Sequence, residues 1–436
     1  MDYSYQDKLV EQGAKILNEL GIVYYDMMPR TGKTMTSFNT IKACGLKSVL
    51  FLTKKSAIED IRKAFNDNTF PFSILVTNYE NITKDYVQAQ RYEKGTEDYN
   101  KWITKFKAVI QHYESVFDCV VCDEAHSVGA YSKPALVAKV LKQIVKDKKL
   151  ILLSGTPCEE SHSQLYHQFW ISNHSPFNHK NFYMWSKEYV DIKQIKVNGM
   201  FVNQYDKAKN ELILSVCDKY FVRCNQQDAG FIQSEIQEEI KYVDTNPKIK
   251  KLVELLIKNK YYQFADGSEI VCENAAILQQ KIHQIYSGTI KVNDDYKILD
   301  RSKAEFIKKE YPFQRIVIFY KFIAEETLLK EVFEGQWTKE TAAFQGGFKR
   351  VFLAQIRSGS MGVNLSSADY IIYYNIDFSA TLYEQSRHRS QTLLRDRPSI
   401  AHWIFNRDGI ENKIYKAVQK KRSYGVSLFR KDYQVN

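Results

Sequence analysis

The first half of the chain alternates short apolar runs with amphipathic stretches of helical periodicity. A polar loop follows each run, which is typical of strands buried on both faces of a parallel sheet. The runs are GIVYYDM at 21–27, KSVLFLT at 47–53, FSILVTN at 72–78, FDCVVCDE at 117–124 and KLILLSG at 149–155. Repeated strand–helix units predict an α/β layered domain that binds its ligands at the carboxyl ends of the strands.

A second series of strand-like runs occupies the other half of the chain. These runs are QRIVIFYKF at 314–322, KRVFLAQI at 349–356, ADYIIYYNID at 368–377 and IAHWIFN at 400–406. An amphipathic basic stretch at 246–260 predicts the helix that opens this half. The stretch before it is dense in aromatic residues and histidine, and we interpret it as a helical extension of the first sheet. The predicted domains are therefore 1–160, 161–242 and 243–436.

Charge is unevenly distributed along the 436 residues, whose net charge is +11. Residues 1–240 hold 30 Lys and Arg against 29 Asp and Glu, whereas residues 241–436 hold 32 against 22. A basic half predicts a polyanionic partner, although solubility alone would also explain it. No apolar run approaches the roughly 18 residues of a membrane span. The seven scattered cysteines favour a reducing compartment, so we expect a cytoplasmic protein without a membrane partner.

Cys119 and Cys122 form the pair of cysteines that most resembles a metal motif. They lie within the apolar run FDCVVCDE, which predicts a buried strand. Residues three apart on a strand point to opposite faces, so we do not expect these thiols to bind one metal ion.

The tripeptide Gly32-Lys33-Thr34 lies between an apolar run and a helical stretch. Backbone N–H groups at such a turn surround phosphates at a helix N-terminus. Lys33 would reach the β- and γ-phosphates, and the Thr34 hydroxyl would bind Mg²⁺. A complete phosphate-binding loop has glycine where this chain has Met27, so the front half is unusual. Thr31 is expected to line the loop, and Arg30 either contacts phosphate or faces solvent.

Two further motifs follow later apolar runs. Asp123-Glu124-Ala125-His126 ends the run at 117–124, and Ser154-Gly155-Thr156-Pro157 ends the run at 149–155. Asp123 is suited to hold Mg²⁺ through water, and Glu124 to orient or deprotonate an attacking water. A surface turn is the alternative interpretation of the first motif.

These three motifs, each after a strand and in this order, resemble motifs I, II and III of the superfamily-two helicases. The segment 357–391 resembles motifs V and VI of the SWI/SNF-like group, and 302–322 resembles its motif IV. The resemblance covers nearly the whole chain. It implies an α/β fold of two RecA-like parallel-sheet lobes in tandem, with a helical insertion after the first and ATP bound between them.

The resemblance also implies roles for individual residues. It implies that ATP is contacted by Gln6, Gly362, Asn364 and Gln385, with Gln6 at the adenine. It implies that an arginine of motif VI reaches the γ-phosphate, with Arg389 as the first candidate and Arg387 as the second. Two candidates are named because Thr392 stands where the usual spacing of motif VI has an arginine. Nucleic acid would be contacted by Lys54, Lys55, Thr77, Asn78 and Ser360. Hydrolysis would be coupled to movement by His126, Ser154, Gly155 and Thr156.

The predicted function is that of a monomeric ATP- and Mg²⁺-dependent DNA translocase or helicase with a DEAH box. Duplex, forked or branched DNA would be its partner, in replication, recombination or repair. The compact length resembles helicases encoded by bacteriophages, which act in the host cytoplasm, and does not favour a nucleosome-directed role. Two alternatives stay open: an RNA helicase of the same superfamily, and a nucleotide-gated DNA-binding scaffold with little turnover.

Overall fold

A computed structural model describes residues 4–28, 31–158, 161–197, 200–225, 227–228, 236–356, 367–379, 383, 399–420 and 424–435. The chain divides into two compact units, 1–231 and 232–436. Each unit contains a six-stranded sheet whose strands all run parallel. The predicted α/β fold with two parallel sheets is therefore confirmed.

The strands of the first unit include all five that the apolar runs predict. They are β1 (Ile22–Met27), β2 (Ser48–Thr53), β3 (Ser73–Asn78), β4 (Cys119–Asp123), β5 (Lys149–Ser154), β6 (Lys193–Val197), β7 (Met200–Gln204) and β8 (Phe221–Cys224). The sheet order is β3-β2-β4-β5-β1-β8, while β6 and β7 form a separate antiparallel hairpin. In this order β4, β5 and β1 are neighbours, so the loops after them meet at one edge.

The helices of the first unit connect these strands. They are α1 (Ser4–Leu20), α2 (Lys33–Ala43), α3 (Ile58–Asn66), α4 (Tyr79–Ala89), α5 (Glu97–Val116), α6 (Leu136–Val145), α7 (Leu165–Trp170), α8 (Phe182–Tyr189) and α9 (Asn210–Cys217). The residues just before α4 and α5 fix where these helices begin, because the side chains of Asn78 and Thr96 accept hydrogen bonds from their first turns.

Successive residues of the central strands contribute to two different hydrophobic clusters. Tyr24 and Cys122 belong to one cluster, whereas Tyr25 and Cys119 belong to the other. Both faces of the sheet are thus covered by helices, as the unbroken apolar runs predict. The two cysteines lie in different clusters on opposite faces, which confirms that they are not placed to share a metal ion.

The segment that follows β5 is less helical than its sequence predicts. It contains α7, α8 and α9, but also the β6–β7 hairpin and β8, which adds to the edge of the first sheet beside β1. The aromatic residues form a packed cluster in which Trp185 is fully buried and stacks on Tyr189 at 5.1 Å between ring centroids. Burial of these rings against the sheet ties the segment to the first unit.

The second unit repeats the architecture. Its strands are β9 (Ile236–Val243), β10 (Tyr261–Gln263), β11 (Glu269–Val271), β12 (Thr289–Val292), β13 (Asp295–Ile298), β14 (Ile316–Tyr320), β15 (Trp337–Thr338), β16 (Val351–Gln355), β17 (Tyr370–Tyr373) and β18 (Ser399–Asn406). The parallel sheet has the order β15-β16-β14-β17-β18-β9, and β10–β11 and β12–β13 are antiparallel pairs. All four predicted strands of this half are present.

The helices of the second unit begin with the predicted basic helix. They are α10 (Pro247–Asn259), α11 (Ala275–Tyr286), α12 (Ser302–Glu310), α13 (Ile323–Val332), α14 (Thr341–Gln345), α15 (Glu411–Val418) and α16 (Val426–Tyr433). α10 starts with Pro247 at its first position and with the Asn246 side chain as its cap.

The second unit starts earlier than the boundary predicted near Val243. β9 pairs with β18 along eight residues, from Ile236 opposite Ser399 to Val243 opposite Asn406. β9 reads IQEEIKYV and mixes charged with apolar residues, because it forms the edge of the sheet. A polar edge strand carries a weak sequence signal, which is why the prediction assigned it to the first lobe.

Candidate nucleotide site

The three motifs of the first unit meet at the carboxyl edge of its sheet. Asp26 at the end of β1 pairs in register with Ser154 at the end of β5, and Asp123 at the end of β4 pairs with Leu153. The sheet therefore brings together chain segments that are about a hundred residues apart in sequence. This edge is where parallel sheets bind ligands.

The turn between β1 and α2 has the conformation of a phosphate-binding loop at its closing glycine. Gly32 has φ +81° and caps α2, whose first residue is Lys33. The Lys33 ammonium donates a hydrogen bond to the Met27 carbonyl oxygen at 2.9 Å. Met27 is the last residue of β1 and its side chain is fully buried. An apolar residue replaces glycine there because the position belongs to the core and the lysine uses only its backbone oxygen.

Helix α1 packs its first turn against this loop. The Tyr5 hydroxyl donates to the Thr31 carbonyl oxygen at 3.2 Å, and the Gln6 side-chain amide donates to the Tyr5 hydroxyl at 3.1 Å. A Cβ atom on Gly32 would lie 2.2 Å from the Gln6 amide nitrogen. Gln6 therefore lies directly beside the loop, where the resemblance places it, and its contact with adenine stays a prediction. Tyr5 was not predicted as the residue that links Gln6 to the loop.

Asp123 is held by Thr53 at the end of β2 and by Tyr79 at the start of α4. Its carboxylate accepts a hydrogen bond from the Thr53 hydroxyl at 2.7 Å, and its carbonyl oxygen accepts one from Tyr79 at 2.7 Å. Burial and the adjacent Glu124 carboxylate raise the pKa of Asp123 to about 6, against the opposing effects of the Thr53 hydrogen bond and the Lys33 charge. A buried carboxylate beside a second carboxylate is suited to hold a cation.

Glu124 follows in a left-handed backbone conformation, with φ 52° and ψ 49°. This region is costly for residues other than glycine and is concentrated at functional sites. It directs the chain into the short helical turn at Ala125–Val128, which carries His126. The His126 Nδ1 atom lies 3.4 Å from a Glu124 carboxylate oxygen and 3.0 Å from the Ser154 hydroxyl.

Ser154 connects the second motif to the third. Besides the contact with His126, its hydroxyl oxygen accepts a hydrogen bond from the Thr156 backbone N–H at 3.1 Å. The Thr156 hydroxyl is buried and finds no hydrogen-bond partner among the residues described. Hydrogen-bonding contacts thus connect His126 to Ser154 and Ser154 to Thr156. Gly155 lies between the last two residues in the same loop.

Asp26 is a charged residue of this edge that the motifs did not reveal. It pairs in register with Arg223 of β8, and their side chains form an ion pair at 3.5 Å. Burial raises the pKa of Asp26, while the positive charges of Arg223 and Lys33 lower it. The apolar run GIVYYDM contains a single acid at its end, which was the available signal. β8 could not be assigned as its partner from the sequence.

The residues of the first unit that are predicted to contact nucleic acid differ in solvent exposure. Lys54 and Lys55 follow β2, and Lys55 is exposed. Thr77 and Asn78 are each only 7% exposed. The Asn78 side chain caps α4 by accepting from the Asn81 N–H at 2.8 Å, and the Thr77 hydroxyl accepts from the Asn81 side chain at 3.0 Å. Both side chains accept hydrogen bonds within the fold, and their contact with nucleic acid stays a prediction.

Several predicted residues lie outside the described part of the chain. They are Arg30, Ser360, Gly362, Asn364, Gln385, Arg387 and Arg389. Their roles stay as the sequence predicts them.

The donor set of the first unit fits a magnesium–nucleoside triphosphate. Gly32 occupies a position where a Cβ atom would overlap the Gln6 amide, Lys33 supplies a cation at a helix N-terminus, and Asp123 supplies a desolvated carboxylate. Thr34 follows Lys33 in the first turn of α2 and is partly exposed, so it is available to bind a metal. Within the described residues, no helix is long and apolar enough to cross a membrane, and no cluster of three or more His, Cys, Asp or Glu forms a metal site.

Comparisons with known proteins identify the family of the chain. The family model of the SNF2-related domain matches residues 32–292, which is more than half of the chain. The chromatin-remodeling ATPase INO80 of Pyricularia oryzae is 35% identical over 71 residues, which cover 16% of this chain and 4% of that protein. INO80 of Emericella nidulans is 36% identical over 79 residues, covering 18% of this chain and 5% of its own length.

The chain thus spans about a twentieth of the length of these curated relatives. The Sulfolobus solfataricus SWI2/SNF2 ATPase core domain aligns with 99% of this chain and 92% of its own, at 15% identity and a TM-score of 0.39. The match to the family model begins at Gly32 and includes the Asp123 and Ser154 motifs. This match alone is enough to assign the chain to a family. The chain belongs to the SNF2-related family, a group of nucleic-acid-dependent ATPases within helicase superfamily two.

Proposed function

We propose that this protein is an ATP-dependent DNA translocase that couples hydrolysis to movement along DNA. One observation carries the proposal: Lys33, the Asp123–Glu124 pair and the His126–Ser154 contact lie on the ends of three neighbouring strands. Phosphate binding, water activation and a connection to a third motif are therefore combined at one sheet edge.

Each side chain has a distinct chemical task in this proposal. The Lys33 ammonium and the N-terminus of α2 bind the β- and γ-phosphates, and Thr34 and Asp123 hold Mg²⁺. When bound, Mg²⁺ neutralises charge that develops on the phosphates. Glu124 orients the attacking water and accepts its proton, and its carboxylate lies 3.4 Å from His126. Gln6 selects adenine, and an arginine of 385–391 completes the site.

The His126–Ser154 contact supplies the coupling in this proposal. Protein atoms that touch Glu124 on one side and the loop of Thr156 on the other can transmit a change at the nucleotide. Movement along DNA would follow from such a change, because Lys54 and Lys55 lie on the same sheet edge one strand farther out.

DNA is the favoured nucleic acid because the segment 357–391 resembles motifs V and VI of the SWI/SNF-like group. We further propose unwinding or branch migration in recombination or repair as the output, in a compact protein of the bacteriophage type that acts in the cytoplasm as a monomer. The relatives are named as chromatin-remodeling ATPases, so chromatin remodeling is the competing proposal. It is not favoured here because the match covers only a small share of the length of those proteins.

An ATPase panel tests the proposal. Turnover is measured alone and with duplex, single-stranded, forked and four-way-junction DNA, with RNA and with nucleosomes. We expect stimulation by DNA and a loss of at least about a hundredfold in the Glu124→Gln variant, since removal of a catalytic proton acceptor costs about 10²–10⁴-fold. Equal turnover in wild type and variant would favour the non-hydrolysing scaffold, and stimulation by RNA as strong as by DNA would favour the RNA helicase.

A further inference from the structure

Gln168 of α7 is a fully buried side chain that forms hydrogen bonds with three other residues. Its amide oxygen accepts a hydrogen bond from the Tyr24 hydroxyl at 2.6 Å, and its amide nitrogen donates to the Pro157 carbonyl oxygen at 2.8 Å. The same nitrogen donates to the Gln164 carbonyl oxygen at 3.3 Å. Burying an amide is unfavourable unless such bonds form, whereas a leucine would fill a similar volume without them. The amide therefore specifies one arrangement of the segments that it joins, which are β1, the loop after β5 and α7.

Tyr24 extends this hydrogen-bonded network to the third motif. Burial raises the pKa of the Tyr24 phenol well above its usual value, whereas a hydrogen bond with the Ser154 side chain lowers it. The Ser154 hydroxyl is also the group that lies 3.0 Å from His126. A path of side-chain contacts therefore leads from Gln168 through Tyr24 to the Ser154–His126 contact.

Helix α7 is also fastened to the chain that follows the second motif. The His167 Nδ1 atom lies 2.7 Å from the Ala130 carbonyl oxygen, and because a carbonyl only accepts, this nitrogen donates. A Cβ atom on Gly129 would lie 2.9 Å from the Gln168 amide nitrogen, so this part of the chain passes too close for a larger residue. Two consecutive residues of α7 thus contact the chain after the second motif, and one of them also contacts the third.

Other contacts of α7 belong to the aromatic cluster. The His167 ring stacks on Phe182 with 5.5 Å between the ring centroids. The Tyr166 hydroxyl donates to the His179 carbonyl oxygen at 2.9 Å. Tyr166 is 1% exposed and Tyr24 is 0% exposed, so the two tyrosines are equally buried but donate in different directions. Only the hydroxyl of Tyr24 is linked to the third motif by these hydrogen bonds.

We propose that Gln168 is a positioning residue of the ATPase, with Tyr24 as its partner. Together they hold the loop after β5 (155–157) in the arrangement that nucleic-acid-stimulated hydrolysis requires. Gln168 holds the Pro157 carbonyl directly and reaches the Ser154 hydroxyl through Tyr24. The inference rests on the coupling role proposed above for the His126–Ser154 contact.

Loss of the Gln168 amide should affect turnover more than ATP binding. Its hydrogen bonds go to residues outside the turn of Gly32 and Lys33, so that turn should still bind ATP without them. A displaced loop would instead weaken the contact of Ser154 with His126. A change of this kind lowers kcat and leaves KM nearly unchanged, which a general loss of nucleotide binding would not do.

Three single variants of the intact protein test the inference. Gln168→Met removes the amide at similar length, and Tyr24→Phe removes only the hydroxyl that donates to it. Tyr166→Phe is the matched control, because it removes an equally buried hydroxyl that bonds to His179. ATPase turnover is measured over a range of ATP concentrations with the nucleic acid that stimulates wild type most strongly.

We expect kcat to fall at least about fivefold in Gln168→Met and in Tyr24→Phe, since a small displacement of a positioned group costs up to about 10²-fold. The KM for ATP should stay within about twofold in both variants. Tyr166→Phe should keep the wild-type kcat. The double variant of Gln168 and Tyr24 should be no worse than the worse single one, because the two residues act through the same hydrogen bond.

Ser154→Ala, measured in parallel, separates this inference from the proposed function. If it lowers kcat while Gln168→Met and Tyr24→Phe do not, the proposed coupling stands and the positioning role is overturned. If none of these three variants lowers kcat, both are overturned. An equal loss in Tyr166→Phe would also overturn the inference. So would a loss that disappears when rates are divided by the fraction of protein that binds Mg²⁺-ATP, because it would show general destabilisation.

Discussion

The Thr53 hydroxyl donates a hydrogen bond to the Asp123 carboxylate at 2.7 Å, between the ends of β2 and β4. This hydrogen bond lowers the pKa of the Asp123 carboxyl, whereas burial and the Glu124 charge raise it. Thr53 is fully buried and ends an apolar strand, so its type alone does not mark it as part of a nucleotide site. The pairing makes it a positioning residue for the carboxylate that we expect to hold Mg²⁺.

We predict that Thr53→Val weakens the use of Mg²⁺ by the ATPase. The variant keeps the volume and the β-branch but removes the donor, so Asp123 should be harder to ionise and less well oriented. Loss of such a supporting hydrogen bond costs about 10–100-fold in metal affinity. A Mg²⁺ titration of ATPase rate should show a rise of about tenfold in the half-saturating concentration. Thr53→Ser should restore it, and an unchanged titration in Thr53→Val would refute the role.

Gly32→Ala should abolish nucleotide binding by a contact as well as by strain. Gly32 has φ +81°, and a Cβ atom there would lie 2.2 Å from the Gln6 amide. Gly45 is a matched control, since it has φ +67° with no atom within 4 Å of its Cβ position. Both alanines should cost about 1–3 kcal/mol of backbone strain. Only Gly32→Ala should lose the thermal stabilisation that Mg²⁺-ATP gives, and equal stabilisation of both variants would contradict this.

His126 and Ser154 should act as a pair in nucleic-acid stimulation. Their side chains lie 3.0 Å apart and join the second motif to the third. Either alanine variant should reduce the stimulated kcat, because each one breaks the same contact, while the KM for ATP stays within about twofold. The double variant should be no worse than the worse single one, since residues in contact are non-additive. Fully additive losses in kcat would show that the two residues act separately.

Breaking the Lys303–Glu411 ion pair by a single substitution should strongly destabilise the second unit. The two side chains are 2% and 0% exposed and lie 3.0 Å apart. Lys303→Met leaves a buried carboxylate unpaired, which costs about 3–5 kcal/mol. Lys250→Met is the control, because its pair with Asp408 is about half exposed and worth about 0–1 kcal/mol. Chemical denaturation followed by circular dichroism measures both, and similar losses in the two variants would contradict the prediction.

Much of the fold followed from local patterns. The apolar runs predicted nine strands of the two sheets, because a strand buried on both faces must be apolar at every position. Those that the patterns missed are short or lie at edges, as β8, β9 and β15 do. An edge strand is specified by its neighbour's hydrogen bonds, which a single stretch of sequence does not display. The domain boundary near Val243 was placed late for this reason.

The site was predicted in part, and its gaps have a common cause. The motifs identified Lys33, Asp123, Glu124 and Ser154, because each stands next to a recognisable strand end. They did not identify Thr53, Tyr5 or Asp26, whose importance arises from strand order and from contacts with distant residues. The sequence did not reveal that Asn78 caps α4 and that Thr77 accepts a hydrogen bond from Asn81, because a polar side chain after a strand can equally well bind a ligand or cap the next helix.

By itself the sequence determined the fold class and the order of the motifs, and it predicted the residues of the phosphate-binding loop. Those properties depend on periodicity and on residues adjacent in the chain. Only the tertiary structure decided that Met27 belongs to the core and offers its carbonyl oxygen to Lys33. It alone decided that Thr53 at the end of β2 donates a hydrogen bond to the Asp123 carboxylate at the end of β4. Sheet order brings residues from distant segments within hydrogen-bonding distance, and no local pattern encodes that order.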